Sequence, residues 1–227
     1  MTQSWHDLLF AHWPIDPRVL RDKVPDDLPL DLFDGEAWVG VIPFHMTNVA
    51  PRGLRWLQLA SAFAELNVRT YVTVGGKPGV WFFSLDAASA LAVGAARMLF
   101  GLPYHTADMQ VEVKGGDVSY RSRRKASETA AAAFDATYGP AGPARTAQPS
   151  TLEYFLTERY CLYVADAARG VRRLEIHHAP WPLQPAVACI EVNTMADAAG
   201  IPLPNTPPLL HFAKRLDVLT WGTERIE

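Results

Sequence analysis

Residues 79–107 read GVWFFSLDAASALAVGAARMLFGLPYHTA, and the succession of residue types in this stretch decides the fold. Val80–Leu85 is a short β-branched and aromatic run bounded by Gly79, the pattern of a buried strand. It meets Asp86, then small and apolar residues from Ala88 to Phe100, then Gly-Leu-Pro-Tyr-His at 101–105. The Ala88–Phe100 run is apolar nearly all round, which predicts a buried helix. Its Ala, Ser and Gly residues let such a helix lie close against a sheet. Pro103 holds Tyr104 and His105 in an extended stretch.

Outward from this stretch, turn signals cut the chain into short strands. Glu65–Val74, Gly75-Gly76 and Val80–Leu85 form one predicted hairpin; Met109–Lys114, Gly115-Gly116 and Val118–Arg123 form another, extended by Ala130–Tyr138. Leu30–Phe33, Asp34-Gly35 and Ala37–Phe44 suggest a third. Asp16 is the N-cap of a helix with Pro17 at its first position. Gly139–Pro149 is a surface loop, and Ser150-Thr-Leu-Glu153 is a capping box that opens a second short helix. Strands follow near Tyr160–Asp166, Val171–His178 and Ala186–Val192. A short helix over Thr194–Ala199 stops at Gly200, and Leu209–Trp221 returns as a last strand. The expected fold is one mainly β (α+β) domain over residues 1–227, curled into a barrel or cone, with a buried helix at about 88–100 and a few short peripheral helices.

Composition narrows the function classes. The chain has 227 residues, of which 49% are hydrophobic, enough for a substantial core. A formal net charge of -3 and no basic stripe argue against a nucleic-acid partner. The cluster Arg121, Arg123, Arg124 and Lys125 reads as a solvated strand end. No signal peptide and no membrane-length apolar run are evident, so the expected setting is cytoplasmic. Cys161 and Cys189 lie in apolar surroundings and read as free core cysteines. His177-His178 diverge on a strand, and no metal-ligand spacing occurs, so neither metal nor cofactor is expected.

The chemistry-bearing residues lie in two places. In Glu65-Leu-Asn67-Val-Arg69-Thr-Tyr71, alternation puts Glu65, Asn67, Arg69 and Tyr71 on one strand face. Such a row either meets solvent or lines a polar cavity. Outside, the Glu65–Arg69 pair is worth less than ~1 kcal/mol; inside, each charge needs a partner. Tyr104 can donate a hydrogen bond to a carbonyl, and His105 can act as an acid or base near neutral pH. As neighbours in an extended stretch they point oppositely, so one of them faces any pocket. The seven tryptophans could build an aromatic-walled cavity, but most read as core; Trp81 and Trp181 are the ones chosen for a pocket wall.

Long segments, among them WHDLLFAHWPID, FDGEAWVGVIPF, ELNVRTYV, GKPGVWFFSLDA, ARMLFGLPY and HAPWPLQPA, resemble the YqjF-like family of uncharacterised bacterial proteins. The order of strand, helix and Gly-x-Pro turn, with Asp16–Leu28 and Phe63–Glu65, resembles acetoacetate decarboxylase. That second resemblance implies its fold and a pocket. It also places the decarboxylase's Schiff-base lysine on Tyr104, the neighbouring lysine on His105, a pocket acid on Glu65, and a substrate-facing arginine near Trp5 or His6. A phenol cannot condense with a ketone to an imine, so Schiff-base decarboxylation at this position is excluded. Relocation of the amine to Lys77 is the alternative to loss of that chemistry. Three functional expectations follow. One is a pocket for a small carbonyl- or carboxylate-bearing metabolite, using Glu65, Asn67, Arg69 and Tyr104. Another is a lyase, hydratase or isomerase with Glu65, Tyr104 and His105 as acid–base groups. The last is a structural, homo-oligomer-forming protein with a filled cavity.

Overall fold

A computed structural model describes residues 1–51, 60–89, 101–125, 130–166 and 170–226. Its strands are β1 (Thr2–Ile15), β2 (Ala37–Ala50), β3 (Ala60–Val74), β4 (Lys77–Ala87), β5 (Tyr104–Lys114), β6 (Asp117–Arg124), β7 (Ala133–Pro140), β8 (Cys161–Asp166), β9 (Gly170–His178), β10 (Gln184–Asn193) and β11 (Leu209–Arg225). Two short helices, α1 (Pro17–Arg21) and α2 (Leu152–Thr157), lie at the periphery, with a 3₁₀ turn at Asp197–Ala199. The sheet runs β1-β2-β3-β4-β5-β6-β7-β10-β11-β9-β8, and the extra pairings β1–β11 and β4–β8 close it into a ring-like form.

Those closures make β1–β3 a shared wall. On one face Leu9, Ala11, Val39, Val41, Leu66 and Val68 pack against Tyr120 of β6 and Phe134 of β7. On the other, Leu8, Phe10, Ile42 and Phe44 pack toward Trp181, and Tyr71 of β3 packs with Val80 and Phe82. A strand buried on both faces loses the alternation of a half-exposed one. This is why β1 carries no strand signature in its sequence although it anchors both β2 and β11. Tyr120 reaches through from the first side, its hydroxyl 2.7 Å from the carbonyl oxygen of Glu65. Closure at β4–β8 needs backbone proximity: a Cβ on Gly79 would stand 2.6 Å from the Tyr163 ring and 2.8 Å from the Cys161 carbonyl.

The two expected glycine-turn hairpins form, with Gly75 and Gly76 at φ +58° and +74° as a type I′ turn requires. Asp16 caps α1 by accepting from the Arg18 amide at 2.9 Å. Three local expectations are corrected. Leu30 makes an isolated bridge to Val72 instead of a hairpin strand, so the Asp34-Gly35 turn joins only Phe33 to Glu36. The N-cap of α2 is Thr151, whose Oγ1 accepts from the Tyr154 amide, because Ser150 stands at φ +69°. Cys161 is buried as expected, but Cys189 is exposed on the outer face of β10. The helix expected over Ala88–Phe100 falls, from residue 90 onward, outside the described residues.

One buried ion pair fixes β4 beside the start of β5. Arg124 of β6 donates from Nε and Nη2 to the two carboxylate oxygens of Asp86, at 2.9 and 2.6 Å. The two side chains are 3% and 0% exposed. Breaking such a pair strands a desolvated charge. Arg124→Met is therefore expected to lower the unfolding free energy by about 3–5 kcal/mol in urea denaturation; a loss below about 1 kcal/mol, the range of an exposed pair, would contradict this role.

Candidate functional site

A cavity of about 390 Å³ lies on the Trp181 side of the β1–β3 wall, a volume suited to a small organic ligand. Its walls are mostly apolar, built from residues such as Ile42, Phe44, Phe82, Leu85, Leu162 and Trp181. Into this surface β3 sets Glu65, Asn67 and Arg69. The three are only 4%, 5% and 9% exposed, so the polar row expected from alternation is an interior one.

Glu65 and Tyr104 meet at one part of the cavity. Tyr104 opens β5 opposite Leu85 of β4, and its hydroxyl donates to Glu65 Oε2 at 2.7 Å. Burial pushes the Glu65 carboxyl up to about 7, against the downward pull of the Tyr104 hydrogen bond; the Asp86 charge adds to the rise. Burial, with Glu65 alongside, also holds the Tyr104 phenol well above its ordinary value. The result is a protonated phenol against a carboxyl poised to gain or lose a proton near neutrality.

Arg69 stands four residues further along the same face. Its Nη2 donates to the Leu156 carbonyl at 3.2 Å, near the C-terminal end of α2, and lies 3.4 Å from the Tyr71 hydroxyl. Its guanidinium carbon sits 5.6 Å from the ring centres of Phe10 and of Tyr71. Tyr71 in turn donates to the Leu156 carbonyl at 2.8 Å and accepts from His12 Nε2 at 2.6 Å. Burial drives the His12 imidazole well below its ordinary value, so it stays neutral. Among the described residues no carboxylate lies within ion-pair distance of Arg69, and its Nε has no hydrogen-bond partner. Asn67 Oδ1 and Trp181 Nε1 are likewise buried without partners. The Arg69 guanidinium is thus met by two aromatic rings and the Leu156 carbonyl.

The sequence-expected residues divide accordingly. Glu65, Asn67, Arg69, Tyr104 and Trp181 line the cavity, and Tyr71 is fully buried behind Arg69. His105 is in register with Asp86 and does not line the cavity. Trp81 lies on the other side of β4, beside Phe83 and Tyr163. Trp5, not among the two chosen, lines the cavity and stacks on Trp181 with ring centres 6.0 Å apart. His6 stacks on His45 at 5.0 Å. Lys77 pairs with Glu175 at 2.5 Å, away from the cavity lining, so the structure offers no relocated amine there.

Further lining residues escaped the sequence reading. Arg159 lies there with its charge paired to Asp31 at 2.6 Å, and His178 stacks on Tyr160 at 4.6 Å. Glu158 holds this corner together, accepting from the Trp181 amide at 2.9 Å and from the Tyr160 hydroxyl at 2.5 Å. The segments TERY and HHAPWP are thus halves of one wall, but neither carries a spacing that announces a contact so distant in the chain.

The family model DUF2071, described as an uncharacterized conserved protein, matches residues 2–217. The chain belongs to this family. The uncharacterized protein YqjF of Bacillus subtilis (strain 168) is 51% identical over 221 residues, covering 97% of this chain and 90% of that one. Among solved structures, acetoacetate decarboxylase of Legionella pneumophila superposes with a TM-score of 0.61 at 13% identity, over 97% of this chain and 85% of that one. The enduracididine biosynthesis enzyme MppR, in complex with pyruvate, gives 0.64 at 12% identity, over 98% and 89%. An acetoacetate decarboxylase-like enzyme from Sphingomonas wittichii RW1 gives 0.62 at 14%, over 100% and 93%. This DUF2071 chain therefore has an acetoacetate-decarboxylase-like fold, as its sequence led one to expect.

The Glu65 environment has a consequence for stability. A carboxyl whose folded value is raised from 4.5 to about 7 binds its proton more tightly folded than unfolded. Its contribution is greatest below pH 4.5 and is lost as pH climbs to about 7, amounting to about 3 kcal/mol. Urea unfolding at pH 5 and pH 8 is expected to show this fall in the natural protein and a flatter profile in Glu65→Gln. Parallel profiles in the two proteins would show that Glu65 is not desolvated.

Proposed function

We propose that this DUF2071 protein binds a small carboxylate- or carbonyl-bearing metabolite in the β3-lined cavity, and that it is not a Schiff-base decarboxylase. The observation that carries this reading is the buried Arg69 guanidinium with no carboxylate partner among the described residues. A desolvated, unpaired cation is costly, and an incoming carboxylate relieves that cost with charge-assisted hydrogen bonds. Asn67 supplies a further polar contact, Trp181 and Phe82 supply apolar surface, and Tyr104 offers a hydroxyl to a carbonyl or alcohol oxygen. The reported pyruvate complex of MppR supports the reading by analogy of fold.

A second reading rests on the Glu65–Tyr104 pair. A carboxyl that titrates near 7 is matched to proton transfer at neutral pH, which favours a lyase, hydratase or isomerase acting on the bound molecule. Glu65 then moves the proton and Tyr104 steadies the oxygen that develops charge. His105 has no part in this step, since it does not line the cavity.

A thermal-shift screen with carboxylic acids, keto acids and the corresponding neutral amides tests the binding reading. Ligand at a hundred times its Kd adds about 2.7 kcal/mol of stability, so acids are expected to raise Tm while the amides do not. Arg69→Met is expected to abolish that preference, whereas Glu65→Gln should keep binding and lose any turnover. Equal response to acids and amides would overturn the assignment of Arg69.

A further inference from the structure

The row of groups on β3 also limits the shape of the occupant. Glu65 and Arg69 share a face, yet they form no ion pair, and the Glu65 carboxyl instead accepts from the Tyr104 hydroxyl at 2.7 Å. Four residues of strand separate their backbones by roughly 13 Å. Ile42 and Leu85 flank Asn67 from the neighbouring strands, as Phe44 flanks Glu65 and Phe82 flanks Arg69. The stretch between the two polar stations is thus walled by hydrocarbon and crossed by one amide. Beyond Arg69 the row finishes at the fully buried Tyr71; beyond Glu65 the lining passes to half-buried Phe63, Met1 and Gln3.

Resting on the binding reading above, we propose that the cavity takes an elongated, two-headed carboxylic acid: the carboxylate at Arg69, an apolar body across Asn67, and a hydroxyl or carbonyl oxygen at Glu65 and Tyr104. Side chains leaning inward with hydrogen-bond contact at both ends leave roughly 7–13 Å between the two heads. That span suits hydroxy or oxo acids of about six to ten carbons, or a para-hydroxyaryl acid with one or two methylenes. A short acid satisfies one station and leaves the other unmatched. A long acid without the distal oxygen buries its chain but brings no polar group to the Glu65–Tyr104 station.

Calorimetric titration of the natural protein with 3-hydroxypropanoate, 6-hydroxyhexanoate, 8-hydroxyoctanoate, 4-hydroxyphenylacetate, octanoate and 1-octanol tests the proposal without relying on any variant. Affinity is expected to rise at least tenfold from the three-carbon to the best longer hydroxy acid, and to fall at least fivefold on removing either head. Glu65→Gln and Tyr104→Phe, checked for an unchanged far-ultraviolet spectrum, should narrow the gap between 8-hydroxyoctanoate and octanoate. Short and long acids binding alike would overturn the two-headed ligand while leaving carboxylate binding intact. Octanoate equal to 8-hydroxyoctanoate would remove the distal oxygen from the proposal. No binding by any member would overturn both readings together.

Discussion

Everything about the site depends on the strand face carrying Glu65, Asn67 and Arg69 being turned inward. A charged row on the outside of a sheet is inexpensive and carries little information. Enclosed by the β1–β11 and β4–β8 pairings, the same row becomes the main electrostatic feature of the interior. Burial acts differently on its two ends. At Glu65 it favours the neutral acid, which Tyr104 and Asp86 then adjust. At Arg69 the charge persists and is met by the Phe10 and Tyr71 rings and the Leu156 carbonyl.

The scaffold around the row is built to hold such an arrangement. Tyr120 crosses the shared wall to the Glu65 backbone, and Tyr71 is fixed between His12 and Leu156. The Asp86–Arg124 pair stands behind the start of β5, where Tyr104 leaves for Glu65. The Tyr71, Tyr120 and Arg124 contacts are made within the fold, whereas Arg69 Nε and Asn67 Oδ1, both on the cavity-lining row, have no hydrogen-bond partner among the described residues.

Much of this was legible in the sequence, and the failures have physical causes. Alternation along 65–71 put Glu65, Asn67, Arg69 and Tyr71 on one face, and the hairpin turns at Gly75-Gly76 and Gly115-Gly116 fixed the registers around it. Whether that face looked in or out depended on ring closure, which is written in distant pairings such as Val80 with Leu162. β1 was silent because both of its faces are buried. Trp81 was chosen for the pocket wall and Trp5 was not, because an aromatic residue reads alike whichever side of a strand it occupies. The Glu158–Trp181 contact joins residues whose proximity no local spacing encodes.

A phenol and a carboxyl that burial pushes up to about 7 occupy the place that the resemblance gives to the Schiff-base lysine and its acid. The central claim is that Glu65 is buried and unpaired with Arg69. A carbon-13 NMR titration of the glutamate side-chain carboxyls, with Glu65 assigned by its absence in Glu65→Gln, measures this directly. A carboxyl titrating at about 7 is the expected result. A value at or below the ordinary 4.5 would mean that Glu65 is solvated or neutralised by Arg69, and would contradict the account.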